Sequence, residues 1–381
     1  MVKILFAGDF APRTRVAQCL DNGNYETIFG EVIPYTNNVD YAIVNLESPV
    51  VESDQAKPIK KLGPSLRCTS KTISALKYAG FNMVTLANNH FYDFAEDGVR
   101  DTLKLCRQES IDFVGGGNCL EEASKVFYKE IKGLKFAFIN CCEHEFSIAT
   151  SSTGGSNPIN PIQQYYDIQE ARKVSDYVIL ITHGGPEKYM YPTPRMKELF
   201  QFYIDAGADA VVNHHQHCYS GYEIYNGKPI FYGLGNFCFD YANNKKSNWN
   251  IGFMLTLTFD ADKIDFDLVP YIQGFVNPGV EIMSLEDQEL FKSDIQRIND
   301  VIQSDKDLTD SYEVFSKSMA QMYLMTLEPY TSKYMRALRS RKLLPTTLSR
   351  KRALSIINYV KCESHLERFI SALSHMCMSS K

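Results

Sequence analysis

Five apolar runs of strand length each give way to Asp, Glu, Asn or His: KILFAGD (3–9), YAIVNLE (41–47), FNMVTLANNH (81–90), YVILITHG (177–184) and ADAVVNHHQH (208–217). Runs that stay apolar almost throughout suit strands covered on both faces, as in a parallel sheet. Parallel strands release their terminal polar side chains along one carboxyl edge, which is where open α/β sheets bind ligands. The pattern therefore predicts a buried sheet core with one polar rim.

The segments between the runs read as helices. One is expected over about 71–78, ended by Gly80, and another over about 96–107, where Asp97 near the start suits the helix dipole. A third, over about 195–206, ends at Gly207. Strand and helix alternate through the first 275 residues, which is α/β order. Asn226-Gly227 between two apolar runs signals a hairpin, and residues 252–273 alternate like antiparallel strands, so the second half of the core adds antiparallel strands.

The residues at the rim specify a chemistry. Carboxylate oxygen from Asp9 and Glu47, amide oxygen from Asn89 and imidazole nitrogen from His183, His215 and His217 form a mixed oxygen and nitrogen shell without thiolate. Such a shell suits divalent Mn, Fe or Zn rather than a thiolate zinc site or a calcium cage. Two divalent ions are expected; cations about 3.5–4 Å apart need an anionic bridge, and Glu47 is the candidate. His215 and His217 share a face if the chain there is extended, whereas a turn after Val212 splays them onto different ions.

Each residue also has a plainer reading. Asp9 alone is an ordinary helix or turn cap, Asn88-Asn89 an ordinary turn, and Gly184-Gly185-Pro186 an ordinary loop. Three histidines within the four residues 214–217 would be unusual for a core, and it is the set that favours metal. His144 reads as an exposed loop residue, and His365 and His375 as surface or packing residues of C-terminal helices. Gly115-Gly116-Gly117 lacks the Lys-Ser or Lys-Thr of a phosphate-binding loop.

Six ordered motifs carry a family resemblance: GDFAPRTR (8–15), NLESPV (45–50), TLANNHFYDFAEDG (85–98), HGGPEKY (183–189), DAGADAVVNHHQH (205–217) and KPIFYGLGNFCFD (228–240). They resemble the bacterial capsule-synthesis proteins of the CapA type, associated with poly-γ-glutamate capsule. The resemblance implies a four-layer αββα sandwich similar to calcineurin-like metallophosphoesterases, with Asp9, Glu47, Asn89, His183, His215 and His217 as metal ligands and His90 as the catalytic histidine beside the substrate. His214, Glu187 and Asn236, inside the same motifs, are expected to face substrate. The chain departs from the pattern at Gly184, where a Trp is usual, at Asn213 for Gly and Gln216 for Pro, and at Ala11, where an Asp-x-His opening has histidine. Loss of that imidazole weakens one ion position.

Length, at 381 residues, allows a metallophosphoesterase-like domain over 1–275 and a helical, basic extension over 276–381. Residues 331–381 hold eleven Lys or Arg against two Glu, a net charge of +9 in a chain carrying −5 overall. That asymmetry admits docking on the acidic body, an anionic polymer or an anionic membrane surface, while no nucleic-acid module accompanies it. Ten cysteines without a CxxC pair read as reduced thiols, no membrane-spanning run is present, and the opening is too short and acidic for a signal peptide, so a cytoplasmic protein is expected, peripheral at the inner membrane face if the tail binds lipid. The expected function is a metal-dependent phosphoesterase-like hydrolase acting on a capsule or surface-polymer intermediate. The competing class is a non-catalytic accessory protein that binds polymer or recruits a polymer-synthesis enzyme.

Overall fold

The computed structural model describes residues 1–241, 247–260 and 263–379, in two compact units, Met1–Thr309 and Asp310–Lys381. The strands of the first unit begin with β1 (Val2–Phe10), β2 (Tyr41–Leu46), β3 (Met83–Thr85), β4 (Asp112–Val114), β5 (Gly116–Gly117), β6 (Phe127–Ile131), β7 (Leu134–Cys142) and β8 (Gly155–Ser156). They continue with β9 (Tyr177–His183), β10 (Ala210–His214), β11 (Tyr222–Tyr225), β12 (Lys228–Phe231), β13 (Asn236–Cys238), β14 (Ile251–Asp260), β15 (Lys263–Gln273) and β16 (Val280–Ile282).

Two large sheets result, ordered β16-β15-β14-β1-β2-β3-β4, with β13 also on β1, and β11-β12-β10-β9-β7-β6. Their centres, β1-β2-β3-β4 and β7-β9-β10-β12, are parallel. The period-2 alternation of strand side chains then decides the layering. Ile4 and Phe6 of β1 join Phe136, Phe138 and Leu180 in a core between the sheets, while Leu5 and Ala7 join Ile73, Leu76, Val99 and Leu103 under the helices Lys71–Tyr78 and Ala95–Glu109. The second sheet is covered by the helices Pro161–Arg172 and Pro194–Asp205, which bury Ile168, Phe200 and Tyr203. This is the αββα sandwich expected from the sequence, with a helical C-terminal region.

The hairpin at Asn226-Gly227 forms between β11 and β12 with both turn residues at positive φ, 48° and 76°, as a type I′ turn requires. Residues 252–273 pair in the antiparallel ladder β14–β15; its turn residues, 261 and 262, lie outside the described residues. The first unit runs past the expected boundary at 275. β16 extends the first sheet, and the helix Leu285–Gln303 buries Phe291, Ile295, Ile298 and Ile302 in the inter-sheet core, so these segments cannot leave without exposing it. All ten cysteines are free thiols, and no described helix is long and apolar enough to cross a membrane.

Candidate metal centre

The carboxyl ends of the parallel strands of both sheets meet. Asp9 is the next-to-last residue of β1, in register with Asn45 and Asn236, Glu47 directly follows β2, Asn89 and His90 follow β3, and His183 ends β9 opposite His214 at the end of β10. Gly8 admits this approach: a Cβ there would lie 1.9 Å from the Gly235 carbonyl oxygen. Asp9, Glu47, Asn89, His183, His215 and His217 are all buried.

The side chains form two groups with one shared member. Glu47, His183 and His215 present ligand atoms within 4.8 Å of one another, and so do Asp9, Glu47 and His217. In the first group the Asn89 Oδ1 lies 3.2 Å and the His215 Nδ1 3.0 Å from His183 Nε2, which itself lies 3.9 Å from Glu47 Oε1. In the second, His217 Nε2 is 3.7 Å from Glu47 Oε1 and His217 Nδ1 3.7 Å from Asp9 Oδ2. His215 and His217 thus serve different groups. The chain between them is a turn, with φ of +94° at His215 and +55° at His217, left-handed values that non-glycine residues adopt rarely and at some cost. Of the two arrangements open to the sequence, the turn is the one realised.

The electrostatics describe a site waiting for positive charge. Both Glu47 carboxylate oxygens are buried without a hydrogen-bond partner. Burial, reinforced by Asp9 and Glu187, pushes the Glu47 carboxyl well above its ordinary range. Burial would raise Asp9 too, but His214, with Nδ1 3.4 Å from its carboxylate, and the fields of His183 and His217 hold it below the usual carboxylate range. Burial, with His215 adding to it, pushes His183 well down, and burial also lowers His217, so both rings are held in the neutral form. An unpaired buried carboxylate costs several kcal/mol unless a cation meets it, and oxygen and neutral imidazole donors fit such a cation.

Surrounding groups orient these donors, and most were invisible to sequence reading. Asn45 Nδ2 donates to Asp9 Oδ1 at 2.7 Å and approaches His183 Nδ1 at 3.3 Å. Asn89 Nδ2 donates to Glu145 at 3.1 Å, which turns its carbonyl oxygen toward His183. The loop carrying Glu145 also carries Glu143, which accepts from the Gly185 amide at 3.0 Å, and His144, which is exposed as its bland reading expected. His90 is 7 % exposed; its Nδ1 lies 2.6 Å from Asp93, which Lys61 also pairs with. Nothing in the spacing of residues 52–67 pointed to Lys61; the Asp three residues after His90 was a signal within reach.

Asn236 and His214, expected to face substrate, both lie in the interior of the site. Asn236 is fully buried behind His217: it accepts from His217 Nδ1 at 2.9 Å and donates to the Trp249 carbonyl at 3.1 Å and the His217 carbonyl at 3.3 Å, which uses both of its N–H groups. His214, 3 % exposed, sits with Nδ1 3.4 Å from Asp9 Oδ1. Glu187 is exposed and close enough to act on both Glu47 and His217. The departures from the motif pattern have local partners. Asn213 ties Thr182, Gly184 and Tyr232 together, Gln216 donates to the Tyr191 carbonyl, and a Cβ at Gly184 would lie 2.7 Å from Glu143. Ala11 packs with Leu66, Phe239 and Trp249, an apolar wall where an imidazole would otherwise project.

The chain is 33% identical over 241 residues to "Capsule biosynthesis protein CapA" of Bacillus anthracis, covering 61% of this chain and 58% of that one. It is 34% identical over 239 residues to "PGA biosynthesis protein CapA" of Bacillus subtilis strain 168, covering 62% of each. The chain therefore spans about three fifths of the length of these curated relatives. A Mycobacterium tuberculosis protein named "Probable polyglutamine synthesis accessory protein" is 26% identical over 228 residues, covering 56% of this chain and 60% of that one. Among solved structures, a hypothetical protein of Thermus thermophilus (TM-score 0.47, 15% identity, 74% of this chain and all of that one) and a 5'-nucleotidase precursor of the same organism (TM-score 0.43, 11% identity, 85% and 59%) are similar. The profile of the family described as "Bacterial capsule synthesis protein PGA_cap" matches residues 3–241, the stretch that contains every candidate ligand, and this chain belongs to that family.

Proposed function

We infer that this protein is a metal-dependent hydrolase of phosphoesterase type, acting on an intermediate of capsule or surface-polymer synthesis. The observation that carries the reading is Glu47: a fully buried carboxylate with neither oxygen hydrogen-bonded, shared by two groups of donors. Divalent Mn, Fe or Zn ions bound there would supply Lewis acidity toward water and toward a phosphoryl or carbonyl oxygen. Asn89, His183 and His215 would hold one, Asp9 and His217 the other, and Glu47 both.

The remaining steps belong to the chain. Asp93 accepts from His90 Nδ1, fixing the ring so that Nε2 can give a proton to the leaving oxygen. Lys61 balances the Asp93 charge and holds it in place, and Glu145 fixes the orientation of Asn89. Asp9, Glu47 and His183 are buried, and a low local dielectric strengthens the interactions among them.

Metal analysis of the purified protein together with hydrolysis of an aryl phosphate tests the reading. Glu47→Ala should lose most of the bound metal and all turnover; unchanged metal stoichiometry in that variant would reject the shared-carboxylate role. His90→Ala should keep its metal and lose about 10²–10⁴-fold in turnover. A second reading, an accessory protein that holds metal without chemistry, draws on the name of the mycobacterial relative. Full metal occupancy with no hydrolysis of any phosphoester offered would favour it.

A further inference from the structure

We propose that the C-terminal unit is a peripheral membrane-binding module that lies on anionic lipid. Its last three helices, Lys333–Ser340, Arg350–Lys361 and Glu363–Ser379, contain no residue identified as buried. Large apolar side chains stand in solvent along them, among them Tyr334 at 82 %, Leu354 at 58 %, Ile370 at 55 % and Val360 at 48 % exposure. A helix hydrophobic enough to need a partner and short of a core to bury itself in is the signature of an interfacial helix.

The charge says which surface. In Lys333–Ser340 a helical repeat places Tyr334, Met335 and Leu338 on one face and Lys333, Arg336 and Arg339 on the other. Lys342, Arg350, Lys351, Arg352 and Lys361 follow on the next turns and helix, all exposed or half-buried. Among the described residues of 331–379, Arg339 alone pairs with a carboxylate, Glu328 at 3.1 Å. A basic face beside an apolar face matches an anionic bilayer, whose headgroups take the guanidinium and ammonium groups while the acyl boundary takes the apolar side chains. A soluble polyanion would answer the charge and leave the apolar side chains in water. No described helix is long and apolar enough to span, so the contact is with the surface.

Sedimentation of the full chain with lipid vesicles decides the matter. Binding is expected to phosphatidylglycerol-containing vesicles and not to pure phosphatidylcholine ones, weakening about tenfold or more as salt rises from low to several times physiological. Arg350→Glu with Lys351→Glu and Arg352→Glu should weaken it about tenfold, and Leu354→Ser with Ile357→Ser should do likewise at unchanged charge; none of these side chains is buried, so the fold is not at risk. Equal binding to neutral vesicles, or no binding at low salt, overturns the proposal, the latter pointing to docking on the protein's own acidic body. Binding of soluble poly-glutamate with no vesicle binding assigns the surface to a polymer instead.

Discussion

At the scale of single residues, the centre is asymmetric. The group around His183 has imidazoles from two strand ends and an amide oxygen, whereas the group around His217 has one imidazole beside the apolar wall of Ala11, Phe239 and Trp249. The first ion should therefore bind more tightly than the second. Trp249, the sole tryptophan, has its ring 4.6 Å from His217, so its emission should respond to the second step of a metal titration and scarcely to the first. A single change of emission tracking the tighter step would contradict this order. Because Asn236 fixes the His217 ring, Asn236→Ala should weaken the second site about 10–100-fold and leave the first unaltered, read by the same titration.

At the scale of elements, the two sheets hold together through large side chains that cross between them. Phe136 of β7 is fully buried and meets Phe259 of β14 at 5.0 Å between ring centres, edge to face. Phe136→Ala should cost about 3–5 kcal/mol in chemical denaturation, without direct effect on the metal centre at the other end of the strands. The helix Leu285–Gln303 is fastened by Asp294, which accepts from the Tyr219 hydroxyl and pairs with Arg297 at 2.6 Å. Burial alone would raise Asp294, but these partners hold its carboxyl below its ordinary value of 3.8. A carboxyl lowered in the folded state stabilises above its unfolded pKa and stops doing so as pH falls through the folded one. The melting-temperature gap between the parent and Asp294→Asn should thus be widest near neutrality and narrow below about pH 4; a gap independent of pH would discount the ionic contribution.

At the scale of the whole molecule, the family match ends at residue 241, while the first compact unit runs to Thr309 and closes its core with β16 and the helix after it. A chain ending at 309 should keep the metal content and melting behaviour of the parent and lose vesicle binding. A chain ending at 275 should be strongly destabilised, because Phe291, Ile295, Ile298 and Ile302 leave the inter-sheet core. Comparing the two truncations by thermal melting separates a domain boundary read from composition from one set by packing.

How much was legible in the sequence differs between the strands and their surroundings. The strands, the helices 71–78 and 194–205, the Asn226-Gly227 hairpin and the ligand residues themselves all left local marks, because periodicity, caps and turn chemistry act within a few residues. The interior positions of His214 and Asn236, the roles of Asn45, Glu145 and Lys61, and the turn that sends His215 and His217 apart left none. Local pattern alone identifies which side chains arrive at the strand ends. Only the packing of one sheet against the other decided which of them face each other and which stand behind, since contacts such as Asp9 with His217 and Glu47 with His183 join distant strands and depend on register and on buried volume that no local pattern encodes.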